Sequence, residues 1–427
     1  MGTSRAEVET PARGRPRPAE PAPGPRAILF TAFEPSGDDH AAPVIAELLR
    51  RHPGLRVYAW GGEKMARAGA TLIERTGAAA VMGLPGLGKL AEHARINRRI
   101  ARWLDENRVA AHVPVDSPAA NFPICRLAKA RGVRVVHLVA PQMWAWGAWR
   151  IKKLRRLTDL VLALLPFEEN WFLQRGIKAT FVGHPLFDTP LDERALDERA
   201  AGFGAGSPKV ALMPGSRPAE ILGSFGVLLD AFERLRRDFP AASGVIAATR
   251  PEVAGSLQQR ARRERGWPEG LRVAVGETDA VVRWCDYALV VSGTVTLQVA
   301  RQGKPMVTFY RPSRLMYHVL YRWLISTPHV TLPNLIAGKK IVPELVPHFG
   351  DGEELALGII RLMRQPGAAD DQRAELAKVV RAFEGHRAAD RAADEIGRIA
   401  GLGPPTRAAP VAPAPGAGAG TGAGAGA

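Results

Sequence analysis

The chain has 427 residues, 46% hydrophobic and 23% charged, which excludes a wholly disordered protein and suggests two domains of ordinary size. Its 58 basic and 42 acidic side chains leave a formal charge of +16, favouring anionic partners: nucleic acid, anionic lipid or phosphorylated small molecules. Two distant cysteines, Cys125 and Cys285, exclude a disulfide scaffold, and no run reaches the roughly 18–20 apolar residues of a membrane-spanning helix.

Residues 1–26 carry six Pro among Arg, Ala and Glu and are expected to be a disordered tail. Short apolar runs at 27–31, 56–59, 110–115, 135–138 and 160–164 then alternate with longer helical patterns, and a second series follows at 210–213, 244–248, 271–275, 287–291 and 305–309. Such alternation predicts an α/β fold of parallel sheets with crossover helices. Between the two series the chain reads LDERA twice and then AGFGAGSP, an inter-domain connection. The expected units are a first domain over 27–190 and a second over 191–365. A last helical pattern at 371–400 is expected to pack back on the first domain, and the Ala/Gly/Pro tail at 403–427 to be disordered. With no apolar signal core at the N-terminus, the expected location is cytoplasmic, with any membrane contact made from the surface.

Three apolar runs lead directly into small or polar turns that open helices. The first is AILFTA, followed by Phe33, Glu34, Pro35, Ser36, Gly37, Asp38, Asp39 and His40. The second, VALMPGSRPAEI, has Pro214, Gly215, Ser216 and Arg217 in its turn; the third, YALVVSGTVTLQ, has Ser292, Gly293 and Thr294. Free N–H groups of a first helical turn, with the helix dipole, favour an anion at such strand ends, and Arg217 adds a fixed charge for phosphate. Any one of these turns alone reads more readily as a helix cap than as a binding site. Two of them about 80 residues apart in one half suit a nucleotide site built from two loops of one sheet.

In this order the blocks resemble one family, the lipid-A-disaccharide synthases, inverting glycosyltransferases of the two-Rossmann-domain (GT-B) type. The resemblance spans 28–386 and rests on the first turn together with GGEKMARAGA (61–70), VMGL (81–84), VDSP (115–118) with Asn121, APQMWAWGAWRIKKL (140–154), LPFE (165–168) and FVGHPL (181–186). It continues through MPGSRPAEI, VSGTVTL, GKPMVTFYR (303–311) and TLPNLIAGKKIVPEL (331–345). The resemblance implies two Rossmann-like domains facing a cleft. It also implies transfer of a 2,3-diacylglucosamine unit from its UDP derivative to 2,3-diacylglucosamine 1-phosphate, forming a β-1,6-linked disaccharide and UDP. UDP and its diphosphate would meet Gly215, Ser216, Arg217, Ser292, Gly293, Thr294 and Gln298. The acceptor side of the cleft would hold Glu34, Ser36, Gly37, Asp38, Asn121, Trp146 and Asn334. The base would be Asp116, in a Pro-flanked loop after an apolar run, with His40 as its rival. No Asp-x-Asp occurs, so no metal and no other cofactor is expected. The implied partners are the two lipid-linked sugars, the inner face of the cytoplasmic membrane and a second copy exchanging C-terminal segments, with no nucleic acid.

The sequence departs from the family pattern at three places. Ala119 and Ala120 replace Asp-Phe in Asp-x-Pro-Asp-Phe-Asn, Gln298 stands where Glu ends the Ser-Gly-Thr block, and Gly86 replaces a Glu after VMGL. These motivate two other readings: a related UDP-sugar glycosyltransferase with another lipid acceptor, and a non-catalytic basic protein that binds membrane or RNA. Two basic amphipathic stretches, 89–104 and 311–325, are candidate membrane surfaces or, equally, core-facing helices with solvated Arg. Trp144, Trp146 and Trp149, followed by Arg150, Lys152, Lys153, Arg155 and Arg156, could pass for a nucleic-acid platform, but they coincide with a family block.

Overall fold

The computed structural model describes residues 27–76, 87–264, 266–312, 317 and 327–404. The two tails, VMGL with Gly86, and most of the 311–325 stretch lie outside the described residues. Strands β1 (Ala27–Ala32), β2 (Arg56–Gly61), β3 (Thr71–Arg75), β4 (Ala111–Val115), β5 (Arg134–Leu138), β6 (Leu160–Ala163) and β7 (Ala179–Phe181) form one parallel sheet in the order β3-β2-β1-β4-β5-β6-β7. Strands β8 (Lys209–Met213), β9 (Ser243–Ala248), β10 (Leu271–Val275), β11 (Tyr287–Val291), β12 (Met306–Phe309) and β13 (Glu344–Leu345) form a second, β10-β9-β8-β11-β12-β13. The central strands β1 and β4 are buried throughout, and largely apolar, because helices cover both faces, as parallel sheets require.

Each sheet grows outward in one direction, then restarts on the other side of its first strand. The reversals fall between β1 and β4 and between β8 and β11. The loops there part to opposite faces and leave a crevice beyond the strand ends, where α/β sheets bind ligands. Helices Pro35–Arg51, Pro118–Ala130, Pro166–Leu173 and Pro218–Asp238 all begin with proline, whose fixed φ suits a first helical position and whose missing N–H costs nothing there. The expected runs match β1, β2, β4–β6 and β8–β12 within one or two residues. Strand β3 is an edge strand with charged, half-exposed residues, and β7 and β13 are only three and two residues long, so none of them carries an apolar run.

The last helical pattern is two helices rather than one. Helix Ala368–Arg381 puts Leu376 into the core of the second lobe, and Gln372 accepts the Met306 amide of β12 at 2.6 Å. Gly385, at φ +73°, ends the intervening turn. Helix Ala388–Ile399 then lies on helix Pro35–Arg51 of the first lobe, burying Ala392, Ala393 and Ile396 with Ala41, Val44 and Ile45, while Arg51 pairs with Asp390 and Asp394. The amphipathic helix Leu87–Glu106 turns Ile96, Ile100 and Leu104 into the first lobe beside Trp60, leaving its Arg side chains outside, so that apolar stripe is core.

Two first-lobe carboxylates, half-buried Asp188 and buried Glu168, brace segments that lie next to the second lobe. Asp188 accepts the Ala388 and Ala389 amides at 2.7 and 3.1 Å, capping from a distance a helix whose own N-cap, Arg387, offers no acceptor. Glu168 is 2% exposed and accepts Trp144 Nε1 at 2.9 Å and the Leu164 and Leu165 amides at 3.1 and 3.0 Å. Burial pushes its carboxyl up to about 7 against the pull of those donors.

Removing the distant cap with Asp188→Ala is expected to lower stability by about 1–2 kcal/mol, read as a lower urea midpoint, with Asp188→Asn losing less. Glu168 gives a pH signature. Its folded carboxyl keeps a proton where the unfolded one has lost it, so its contribution is fully present below about 4.5 and is lost as pH rises to about 7. Glu168→Gln should remove that component, measured as the difference between wild-type and variant unfolding free energies across this range.

Candidate active site

At the reversal of the second sheet, β8 runs into Pro214, Gly215, Ser216 and Arg217 before helix Pro218–Asp238. Gly215 has φ +96°, and a Cβ there would lie 3.1 Å from Glu220 Oε2, so this position favours glycine on two counts. Arg217 is the extended N-cap residue; its guanidinium donates to Glu220 Oε1 at 2.8 Å and is 55% exposed. Beside it β11 runs into Ser292, Gly293 and Thr294 before helix Val295–Arg301. The Ser292 amide donates to Phe309 O at 2.8 Å, so only its hydroxyl is left for a ligand, while Thr296 Oγ1 donates back to Gly293 O and fixes the turn. The Thr296 and Leu297 amides of the following turn donate to Gly293 O and Thr294 O at 3.1 and 2.9 Å, so the part of this turn that lines the cleft is Ser292, Gly293, Thr294 and Val295.

Both turns open on one cleft of about 570 Å³. Gly215, Ser216, Arg217, Ser292, Gly293, Thr294 and Gln298 all line it, and Gln142, Trp144 and Trp146 close it from the first lobe. Trp146 is 46% exposed and carries Arg150 over its ring at 4.1 Å. Helix Ile151–Leu157, which follows, presents Lys152, Arg155 and Arg156 to solvent beside Trp149.

At the reversal of the first sheet, β4 ends in Asp116 and Ser117, both with left-handed backbones (φ +49° and +36°). Non-glycine residues hold such angles only where surroundings impose them. Here the Asp116 amide donates to Leu138 O at 3.0 Å, Ser117 Oγ donates to Glu34 Oε1 at 2.6 Å, and Asn121 Nδ2 donates to the Val115 and Asp116 carbonyls. Burial raises the Asp116 carboxyl, and Glu34 adds to the rise, while the Ser117 amide, His40 and Arg217 pull it down. The influence of Arg217 brings the two lobes together electrostatically. Burial lowers the His40 imidazole against the opposing pull of Asp116 and Asp39, and its ring meets that of His184 edge-on at 6.2 Å.

Several residues expected at the cleft serve the backbone instead. Asp38 accepts the Lys64 and Met65 amides and starts the next helix. Gly37 lets helix Pro35–Arg51 approach β1, since a Cβ would sit 3.0 Å from that of Ala32. Asn121 is fully buried and, besides its two carbonyl bonds, accepts from Thr31 Oγ1 at 2.7 Å. Asn334, also buried, bonds the Ile341 and Val342 amides and the Val342 carbonyl. Ser36 is exposed in the first turn of its helix. The side chains of Asp38, Asn121 and Asn334 thus bond to neighbouring backbone or buried groups. Sequence reasoning also missed cleft residues, among them Gln142, Glu220, Thr249, Thr278, Tyr310 and His329. Gln142 sits inside the APQMWAW block and Tyr310 inside GKPMVTFYR, the one signal that could have found them.

Two glycine turns and a guanidinium on one lobe line the cleft, and a half-buried carboxylate and imidazole, Asp116 and His40, stand on the other lobe outside that lining, within electrostatic reach of Arg217; such a set suits displacement of a phosphate leaving group by a deprotonated hydroxyl. The sequence model of the family described as Lipid-A-disaccharide synthetase matches residues 28–388. The lipid-A-disaccharide synthase of Geobacter sulfurreducens is 34% identical over 357 residues, covering 82% of this chain and 91% of the relative. That of Anaeromyxobacter dehalogenans is 36% identical over 372 residues, covering 86% and 96%. The solved structure titled "S. aureus MnaA-UDP co-structure" superposes with a TM-score of 0.59 at 11% identity over 88% of this chain and 97% of that one, a likeness of fold alone. A non-catalytic basic binding protein is not favoured by these matches. With two parallel sheets meeting at a cleft and a match along nearly all of the described sequence, the chain belongs to the lipid-A-disaccharide synthase family, glycosyltransferases of GT-B fold that act in lipid A biosynthesis.

Proposed function

We propose that the second lobe (191–365) binds UDP-2,3-diacylglucosamine and the first (27–190, closed by the last helix) binds 2,3-diacylglucosamine 1-phosphate, joined with inversion to the β-1,6 disaccharide 1-phosphate and UDP. The observation that carries this is the convergence of the Gly215, Ser216, Arg217 turn and the Ser292, Gly293, Thr294 turn on one cleft, with Trp146 and Gln142 opposite. The acceptor hydroxyl attacks the anomeric carbon, the bond to the diphosphate oxygen breaks, and its electron pair leaves on UDP. Negative charge grows on that oxygen, where the helix-start amides and Arg217 stabilise it. Gln298 accepts from a ribose hydroxyl as a neutral amide.

The hydroxyl proton goes to Asp116. Its carboxylate lies in a half-buried loop beside His40, and its raised pKa makes it a better proton acceptor than an ordinary exposed carboxylate. His40 tunes that carboxylate or meets the acceptor phosphate. The absent second carboxylate, Ala119 here, leaves Glu34, hydrogen-bonded to Ser117, as the companion acid of this loop. Lipid substrates bring the chain to a membrane surface. Trp149, 65% exposed and flanked by Lys152, Arg155 and Arg156, suits an interfacial ring among anionic headgroups beside the cleft.

Disaccharide formation from the two purified lipid sugars tests this. Arg217→Ala should lower kcat/KM by about 10–100-fold. Asp116→Asn should lower kcat by about 100–10,000-fold with the fold intact by circular dichroism. Because burial raises the Asp116 carboxyl, the acid limb of the wild-type kcat/KM profile should lie above the ordinary carboxylate range, and Asp116→Asn should abolish it. Wild-type rates from Asp116→Asn would overturn the assignment of the base. No disaccharide from the wild type, with UDP released to another acceptor, would overturn the substrate assignment.

A further inference from the structure

Two strands that are otherwise apolar each carry a polar residue, Thr31 in β1 and His112 in β4. Both are fully buried, as is Asn121 on helix Pro118–Ala130, so their partners must lie inside the protein. They find one another. Asn121 Nδ2 donates to the Val115 and Asp116 carbonyls at 3.1 and 3.0 Å, which leaves its Oδ1 facing Thr31. Thr31 Oγ1 donates to that oxygen at 2.7 Å and, with its one hydrogen spent, accepts from His112 Nε2 at 2.8 Å. His112 therefore carries its hydrogen on Nε2. Burial, with His137 nearby, pushes the imidazole down to about 3, so the ring stays neutral and these donor and acceptor roles do not change near neutral pH.

The hydrogen bonds run one way, from the His112 ring through Thr31 and Asn121 to the main-chain carbonyl of Asp116. They end on backbone, so they move no proton and act only on position. The position needs holding. Asp116 and Ser117 keep left-handed backbones that their own side chains disfavour. β4 pairs with β5 at Ala111, His112 and Val115, and Pro114, which has no N–H, stands in the gap. Two further bonds, Asp116 N–H to Leu138 O and Ser117 Oγ to Glu34, hold the loop elsewhere, while Asn121 alone in this set takes the Asp116 carbonyl.

We propose that Thr31 is a positioning residue of the transfer, with His112 fixing the direction of its hydroxyl: by holding Asn121 Oδ1 it keeps that side chain on the Asp116 carbonyl, and so keeps the Asp116 carboxylate aimed at the acceptor hydroxyl. The inference deepens the assignment of Asp116 as the base and rests on it. Thr31 and His112 are buried behind the loop and act through Asn121. Without the Thr31 hydroxyl, Asn121 Oδ1 is a buried acceptor with no donor, and nothing in this set selects which way its amide faces. The loop then relaxes from its disfavoured backbone, and a misplacement of about 1 Å at a reacting group costs about 100-fold in rate.

Disaccharide formation by variants of the full chain tests this. Thr31→Val should lower kcat about tenfold and leave KM for both lipid sugars within about twofold, and Thr31→Ser, which restores the hydroxyl, should return most of the rate. His112→Leu leaves Thr31 its hydrogen for Asn121 and should cost kcat only about threefold. Combined with Thr31→Val it removes the orphaned imidazole N–H, so this double variant should regain part of the urea midpoint lost by Thr31→Val but none of the kcat. The double variant also carries the test where Thr31→Val alone does not fold. In an Asp116→Asn background Thr31→Val should cost nothing further, because the group it positions is gone. Wild-type kcat from Thr31→Val or from the double variant, or an undiminished loss on adding Thr31→Val to Asp116→Asn, would overturn the inference while leaving the base in place if Asp116→Asn itself still slows the reaction. Wild-type rates from Asp116→Asn would overturn both.

Discussion

Everything in the proposed chemistry depends on holding a diphosphate where a parallel sheet reverses direction. After β8 and β11 the two loops turn away to opposite faces, and each opens a helix whose start faces the crevice. Gly215 makes the first turn possible by taking a positive φ where a Cβ would also crowd the Glu220 carboxylate. Its neighbour Arg217 then caps the helix with its backbone while its side chain stays half exposed at the cleft. The proposed anion site is thus a consequence of topology, with one guanidinium added.

A cleft between two lobes also needs a join that keeps both walls in register while allowing entry. Arg301 of the second lobe donates to the Leu186 carbonyl at 2.6 Å and to that of Thr189, on the segment that leaves the first lobe. Phe187 of that segment stacks on Phe383 of the returning chain at 4.3 Å. The two crossings of the chain, near Phe187 and near Phe383, are part of an apolar cluster that also joins Trp144 and Leu165 to Leu297. Rotation about crossings of this kind opens and closes a cleft without repacking either sheet. Helix Ala388–Ile399 belongs to the same device, because it ties the end of the second lobe to the helix that presents His40.

Much of the fold was legible because fully buried parallel strands are short apolar runs, and ten of them stand between glycine-, proline- or charge-rich breaks. What was illegible had no such run: β3 alternates charged and apolar residues at an edge, while β7 and β13 pair through only a few residues. The final helical pattern misled because apolar spacing continues through Phe383 while the backbone breaks at Gly385. At the site, the two glycine turns of the second sheet were legible and line the cleft, whereas the first-sheet turn at Glu34 to His40 is not part of that lining. Asp38, Asn121 and Asn334 looked the same as ligand-binding residues in the sequence, since a polar side chain does not disclose whether its partner is a ligand or a buried amide. Thr31 and His112 went unnoticed for the opposite reason. They are 81 residues apart on separate strands, and only the folded chain makes them a pair.

The most direct test of the central claim is a crystal structure of the full chain with UDP. The account expects diphosphate oxygens at about 3 Å from the first-turn amides after Gly215 and after Gly293, with the Arg217 guanidinium turned from Glu220 toward them. Uridine nucleotide bound at the β1/β4 reversal instead, or a β8/β11 crevice left empty at saturating UDP, would contradict it.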